Sequence, residues 1–174
     1  MLFLRERRRE RDAAEALYRV VAEASRRPAL YAELGVPDTV EGRFESLLLH
    51  LFPVVDRLGR GADADPGFLR LVAEAFVADM DATLREMGVG DLSVPRRVKS
   101  MYAAFGGRLA AYASAKSDRQ ALTEAVRRNV FDGATGPQAA RLAGYVQAAV
   151  AALAEVPVAA LKRGAPLFPD PLAS

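Results

Sequence analysis

Apolar residues recur along most of this chain at intervals of three and four positions, which is the spacing of one face of an α-helix. Prolines, glycines and short polar stretches interrupt this pattern and divide the chain into segments of helical length. The sequence therefore predicts an all-α fold, a single domain that forms an irregular bundle of about six helices. The expected helices cover residues 9–26, 38–58, 66–87, 94–115, 118–130 and 137–156.

The second predicted helix differs from the others because its middle, residues 47–52, is almost entirely apolar. A helix that is apolar on every side belongs in the centre of a fold. Asp38, followed three residues later by Glu41, is typical of a capping box and predicts where this helix begins. Pro53 removes one backbone hydrogen bond and presses against the carbonyl of Leu49, so we expect a kink or a break there.

Two further features bear on the outline of the domain. Gly106 and Gly107 interrupt the fourth predicted helix at a cost of roughly 1 kcal/mol each relative to alanine, which favours a close backbone approach or a bend. Prolines near the C-terminus predict an extended tail. These boundaries divide the chain into an N-terminal arm at residues 1–11, a helical domain at 12–156 and a proline-rich tail at 157–174.

The connector between the third and fourth predicted helices is short and carries many charges. Gly88 or Gly90 can adopt the left-handed conformation that ends a helix, and Asp91 or Ser93 can cap the helix that follows. A connector this short fixes the angle between its helices. The number of charged residues around it is larger than a simple turn requires. We interpret this corner as a recognition surface. Its candidate partner-binding residues are Arg85, Glu86, Met87, Asp91, Arg96, Arg97 and Lys99.

Composition narrows the possible functions. The chain has 174 residues, 51% of them hydrophobic, which is enough for one domain with a substantial core. There is no cysteine, so disulfides and thiolate metal sites are excluded. The net charge of +2 gives no reason to expect DNA binding. The apolar stretches are too short or too interrupted to predict a transmembrane helix or a secretory signal.

The N-terminal arm combines a short apolar tip with a run of arginines. An arm of this kind can lie at an anionic membrane surface, where each basic residue contributes on the order of 1 kcal/mol. A disordered, solubilising tail is the alternative. The residues assigned to this arm are Leu2, Phe3, Leu4, Arg5, Arg7, Arg8 and Arg9.

Two carboxylates two positions apart, Asp79 and Asp81, raise the question of a metal or acid–base pair. Residues at that spacing do not face each other on a helix, so structural or partner contacts are favoured. Asp81 is expected to pair with Arg85, one helical turn away. Asp79 lies next to the apolar stripe of its helix, and its burial would require a cation from another helix, Arg43 or Arg108.

His50 is the single histidine, and without cysteine or a second histidine a transition-metal site is disfavoured. A hydrogen-bonded histidine within the helical core is the favoured interpretation. The sequence has no nucleophile motif in a suitable setting and no glycine-rich phosphate loop. We therefore expect no catalysis, no metal and no cofactor.

Several ordered blocks of the chain resemble the ubiquinol–cytochrome c chaperone family. The resemblance spans residues 14–155, with Gly106 standing where an aromatic residue is expected and Pro53 where an aliphatic one is expected. The blocks that carry it are residues 35–45, 49–50, 78–81, 84–101 and 128–130.

The resemblance implies an assembly chaperone for the cytochrome bc1 complex that binds newly made or unassembled cytochrome b. It implies a cytoplasmic location, with a peripheral contact to the inner membrane or the ribosome as a further expectation. Client binding is expected at the charged corner and at the neighbouring residues 35–45, which include Arg43. Met80 and Met101 are expected to fill the core. The competing interpretation is a small helical carrier of a quinone or another prenyl lipid, and an enzyme acting on isoprenoids is a third.

Overall fold

A computed structural model describes residues 2–165 and 168–173, except for the side chains of Leu2 and Phe3. Every regular element among these residues is an α-helix, so the predicted all-α fold is confirmed. None of the helices found there has the length and apolar character required to cross a bilayer. The elements are α1 (Leu2–Ala24), α2 (Pro28–Ala32), α3 (Val40–Leu58), α4 (Pro66–Glu86), α5 (Val94–Ala115), α6 (Arg119–Val130), α7 (Gln138–Ala154) and α8 (Val158–Leu161).

The six long helices match the six that the apolar pattern predicts, and α2 and α8 are additional. Pro28 occupies the first turn of α2, where a missing amide donor costs nothing, and Leu30 is fully buried. The prediction of an extended tail is wrong for residues 158–161, because Val158 and Leu161 pack into the core as α8. The tail residue Pro166 lies outside the described residues.

Helix α1 begins at Leu2, so the prediction that it starts near residue 9 is wrong. Arginine and glutamate are good helix formers, and nothing between Leu2 and Ala24 breaks a helix. Residues 4–12 are exposed, so this part of the helix extends without being covered by the rest of the domain. The predicted arm is therefore helical, although the side chains of Leu2 and Phe3 lie outside the described part.

Helix α3 is capped by Thr39, one residue later than predicted. The Thr39 hydroxyl accepts a hydrogen bond of 3.0 Å from the Gly42 amide, because Thr39 has the extended backbone that an N-cap requires. Asp38 instead accepts a hydrogen bond of 2.7 Å from Arg43. Gly42 is required here because an added Cβ would lie 2.0 Å from the carbonyl oxygen of Pro37. The segment that precedes α3 is therefore held tightly against its first turn.

Two predictions about helix interruptions fail in part. Helix α3 continues through Pro53 to Leu58, so a break at Pro53 is wrong; a kink stays a prediction. Packing overrides the proline because its neighbours Phe52 and Val54 are fully buried. Gly106 and Gly107 of α5 have no neighbouring atom within 4 Å of an added Cβ, so the predicted close backbone approach is wrong, whereas a bend in α5 stays a prediction.

Two clusters of buried side chains form the core, and α3 contributes to both. One cluster joins α3 to α1, α4 and α8. The other cluster joins α3 to α2, α6 and α7, and it includes Tyr112 of α5. Phe76 of α4 stacks on Phe105 of α5 at 4.9 Å between ring centroids, and it also stacks on Phe44 of α3 at 6.4 Å. The predicted central position of α3 is confirmed.

The buried polar residues of α3 all have partners on other elements or on α3 itself. Glu45 accepts three hydrogen bonds of 2.8–3.0 Å from the guanidinium of Arg108 on α5. The Ser46 hydroxyl donates to the Ser25 carbonyl at the end of α1 at 2.8 Å. His50 contacts the Ser46 carbonyl at 2.7 Å and the Tyr145 hydroxyl of α7 at 2.9 Å. The interpretation of His50 as a hydrogen-bonded core histidine is confirmed.

Replacing His50 should remove a pH dependence of stability. Burial lowers the pKa of His50 to about 4, whereas an unfolded histidine titrates near 6.5. Between those values the unfolded state binds one proton more than the folded state, so stability falls as pH falls. The free energy of unfolding should decrease by about 2 kcal/mol between pH 7 and pH 5. Urea denaturation of wild type and His50→Gln measures this. An equal pH dependence in both proteins would contradict it.

Removing Arg108 should destabilise the fold, because Glu45 would be left as a buried carboxylate without its cation. Arg108 is one-third exposed, so we expect a loss of about 2 kcal/mol on Arg108→Ala, less than for a fully buried pair. The control is Arg43→Ala, which breaks an ion pair whose side chains are more than 60% exposed and should therefore cost much less stability. Equal urea midpoints for the two variants would show that the buried pair adds no stability.

Candidate functional site

The corner between α4 and α5 is built from a helix end and a helix start, as the sequence predicts. Gly88 takes the left-handed conformation, with φ of 77°. The Val89 amide bonds to the Leu84 carbonyl at 3.1 Å and closes the end of α4. Ser93 occupies the N-cap position of α5, although its side chain caps no amide, and the neighbouring Val94 is fully buried. Buried apolar residues on both sides therefore fix this corner.

Some of the charges at the corner neutralise one another. Arg85 forms the predicted ion pair with Asp81 at 2.7 Å, and it also pairs with Asp91. The loop after Gly88 brings Asp91 back over the last turn of α4, so a partner would compete with these exposed ion pairs. The role of Arg85 and Asp91 in partner binding stays a prediction.

Three cations at the start of α5 remain available. Arg96, Arg97 and Lys99 are exposed, and none of them forms an ion pair within the described part of the chain. Glu86 is exposed as well. Leu92, in the same loop, is 97% exposed. The sequence analysis does not include Leu92, although an apolar residue in the short connector between two helices could have indicated an exposed contact. The corner thus presents free positive charge beside an exposed apolar side chain.

A cavity of about 360 Å³ lies beside this corner, between α3, α4 and α5. Met80 is 5% exposed, which confirms its predicted core position, and Met101 is half-buried against the same cluster. Met87, at the end of α4, is 54% exposed. We call this space the methionine cavity. Its lining consists of Ser25, Arg26, Val40, Arg43, Phe44, Leu47, Met80, Thr83, Met87 and Met101.

The methionine cavity brings together the two regions that the sequence assigns to partner binding. Val40 and Arg43 come from the segment at residues 35–45, and Met87 comes from the corner. Arg26, which follows α1, completes the rim and was missed because nothing in the local sequence places it near α3. Methionine side chains adapt to varied shapes, so this lining suits a partner that is not uniform.

Asp79 has a different partner from the predicted one. It accepts a hydrogen bond of 2.6 Å from the Tyr18 hydroxyl of α1, and burial together with this carboxylate raises the pKa of Tyr18. Neither predicted cation is its partner, because Arg43 binds Asp38 and Arg108 binds Glu45. Asp79 is only partly buried, so a neutral hydroxyl suffices where a fully buried carboxylate would need a cation.

Two other grooves run along α4 on either side of it. One, of about 440 Å³, lies between α1 and α4 and contains Tyr18 and Asp79. The other, of about 780 Å³, lies between α4 and α5, with Val77, Val98 and Tyr102 along it. Both grooves carry acidic and basic side chains, unlike the methionine cavity.

The side chains that line the methionine cavity favour binding over reaction chemistry. The single histidine is 1% exposed and lies in the core, where its ring nitrogens already have partners. The polar side chains that line the cavity are two arginines, a serine and a threonine. The hydroxyl of that serine, Ser25, is engaged with the Ala22 carbonyl at 2.7 Å. An apolar floor with a cationic rim recognises apolar groups that carry or adjoin negative charge.

Comparisons with known proteins agree with this architecture. A family model described as ubiquinol-cytochrome C chaperone matches residues 32–168. The crystal structure of the Cbp3 homolog from Brucella abortus is similar to this chain, with a TM-score of 0.85 and 34% sequence identity over 98% of this chain and 96% of that one. No curated protein matches. The matched range contains eight of the ten residues that line the methionine cavity. Because the family model covers more than half of the chain, the chain belongs to the ubiquinol–cytochrome c chaperone family.

Proposed function

We propose that this protein is an assembly chaperone for the cytochrome bc1 complex and that it holds newly made cytochrome b. The observation that carries the proposal is the methionine cavity, an apolar depression that opens next to the unpaired cations of the corner. A membrane-protein client presents apolar segments joined by short polar loops before it is assembled. A holder for such a client needs an apolar surface with a charged rim, and this face provides both.

The openness of the cavity favours a protein client over a small-molecule ligand. Val40 is 58% exposed and Met87 is 54% exposed, so the mouth of the cavity is in contact with solvent. A carrier of a quinone or another prenyl lipid would enclose most of its ligand. The family also implies a chaperone, and on that basis we expect no enzymatic activity.

The exposed first half of α1 is the second element of the proposal, as a contact with an anionic membrane surface. Arg5, Arg8 and Arg9 are spaced to lie on one face of the helix. Glu10 binds Lys162 at 3.4 Å and therefore faces the rest of the domain. Leu4, next to these arginines, is 71% exposed. Its apolar side chain can insert into a bilayer, whereas it would make no favourable contact with the phosphates of RNA. The chaperone would then meet its client at the membrane.

Charge reversal at the corner should impair client capture without affecting the fold. The variant Arg96→Glu/Arg97→Glu changes two exposed side chains, so its stability should stay within about 0.5 kcal/mol of wild type. Co-purification of cytochrome b should fall about tenfold, because rim charges govern encounter with a partner. The measurement combines a melting curve with quantification of cytochrome b bound to the tagged chaperone in cells.

The matched control for this experiment is Arg141→Glu/Arg163→Glu, which makes the same charge change at two exposed positions outside the cavity and the corner. It should capture cytochrome b as wild type does. Normal melting together with full capture by the corner variant would show that the corner is only a structural turn. Equal losses in both variants would show that net charge, and not this surface, determines capture.

Charge reversal on α1 should weaken binding to anionic vesicles. The variant Arg5→Glu/Arg8→Glu/Arg9→Glu keeps the helix length and should reduce binding to phosphatidylglycerol-containing vesicles at least tenfold, since each basic residue near such a surface contributes about 1 kcal/mol. Flotation of the variant, the wild type and Arg141→Glu/Arg163→Glu measures this. Neutral vesicles should bind none of the three strongly. Equal flotation of all three with anionic vesicles would contradict the proposed membrane contact.

A further inference from the structure

We propose that the methionine cavity and the cleft next to it form one two-part site, which takes a client segment in which a bulky apolar side chain lies beside a carboxylate. This inference rests on the proposed function and names the chemistry that the client must offer. The cleft has a volume of about 540 Å³ and is lined by Arg26, Pro28, Tyr31, Ala32, Asp38 and Arg43. Arg26 and Arg43 line both spaces, so the two guanidinium groups stand where the apolar cavity meets the cleft.

Both arginines have hydrogen-bonding capacity to spare. The Arg26 side chain is exposed and has no ion pair or hydrogen bond among the residues that the structure describes. Arg43 donates to Asp38 through its Nε, which leaves its two terminal amino groups for another acceptor. A guanidinium group binds a carboxylate through paired hydrogen bonds better than it binds a neutral amide.

The sign of the charge distinguishes this cavity from the neighbouring grooves. Within the described chain, the residues that line the methionine cavity include two arginines and no acidic residue. The groove between α1 and α4 contains Glu15, Glu74 and Asp79 beside its arginines, and the groove between α4 and α5 has Glu74 and Asp81 beside Arg70 and Lys99. Mixed rims do not select one sign of charge, whereas the two arginines of the methionine cavity favour a negative partner. Asp38 in the cleft binds Arg43, so Arg26 supplies the positive charge that remains where the cavity meets the cleft.

The apolar part of the occupant is limited by the size and shape of the cavity. A space of about 360 Å³ with Leu47 and Met80 at its base suits one or two apolar side chains. The long chains of an anionic lipid would extend well beyond it. A peptide segment can place one side chain between the methionines and an aspartate or glutamate of the next residues between Arg26 and Arg43. We therefore assign the site to a protein segment.

The test uses short overlapping synthetic peptides that cover the sequence of cytochrome b, with binding to the full-length chaperone followed by fluorescence anisotropy. Binding peptides should contain leucine, phenylalanine or another bulky apolar residue beside an acidic one. Replacing that acidic residue by its amide should weaken binding about tenfold. No binding by any peptide, or equal binding of acidic and amide forms, would overturn the inference.

Substitutions on the chaperone test the assignment from the other side. Arg26→Glu should weaken binding of the acidic peptide about tenfold and should improve binding of a peptide in which lysine replaces the acidic residue. Met87→Gln, at an exposed position, should weaken both peptides because it makes the cavity more polar. Arg141→Glu, outside the cavity and the cleft, should change neither. Arg26-dependent binding of phosphatidylglycerol vesicles without peptide binding would assign the site to lipid and overturn the inference.

Capture of cytochrome b in cells separates this inference from the proposed function. If wild type captures cytochrome b and Arg26→Glu captures it equally well, the two-part site is wrong and the chaperone function stands. If wild type captures no cytochrome b, the proposed function fails. In that case the peptides that bind still report whether the site prefers an apolar residue beside an acid. Melting curves for each variant show that the fold is unchanged.

Discussion

The burial of the middle of α3, residues 45–54, is the constraint on which the rest of the structure depends. A helix with neighbours on all sides cannot leave a polar side chain without a partner, because water is not available to replace one. Glu45, Ser46 and His50 therefore specify which parts of the chain must lie next to them. Their partners come from α5, from the end of α1 and from α7, so three hydrogen-bonded contacts orient three helices around α3. Apolar packing alone would allow these helices to shift or rotate.

This arrangement gives the candidate site a rigid base and an adaptable rim. The contact between Glu45 and Arg108 holds α5 on α3, and the stacking of Phe76 on Phe105 holds α4 on α5. The corner between α4 and α5 is thereby fixed from two directions. At the rim, in contrast, Met87 and the arginines are exposed. A binding surface with fixed helices and mobile side chains can accept segments of different shape while keeping its charges in place.

The sequence predicts the parts of this protein that depend on neighbouring residues. The predicted helix starts near residues 66 and 118 agree with the structure, where the carboxylates of Asp65 and Asp118 cap amides two or three residues later. Partners far apart in sequence are not predictable in this way: Asp79 binds Tyr18, 61 positions away, and not one of the arginines that charge alone would suggest. The same limit applies to the site. Met87 and Arg43 follow from local patterns, whereas Arg26 joins the rim only through the fold.

The pairing of charges explains why one face of α4 and α5 is suited to binding. Arg85 is neutralised by two carboxylates of its own corner, and the charges of the groove between α4 and α5 include both signs. On this face, four cations have no ion pair within the described part of the chain, and they flank an apolar depression: Arg26 beside the cavity and Arg96, Arg97 and Lys99 at the corner. In the proposed complex with a client, the cations and the methionines would contribute to recognition in different ways. The cations attract a partner over about a Debye length, and salt weakens this attraction. The methionines contribute only after contact, and salt does not weaken their apolar contacts. Salt should therefore slow association with the client far more than it shortens the lifetime of the complex, which distinguishes steered recognition from simple hydrophobic adhesion.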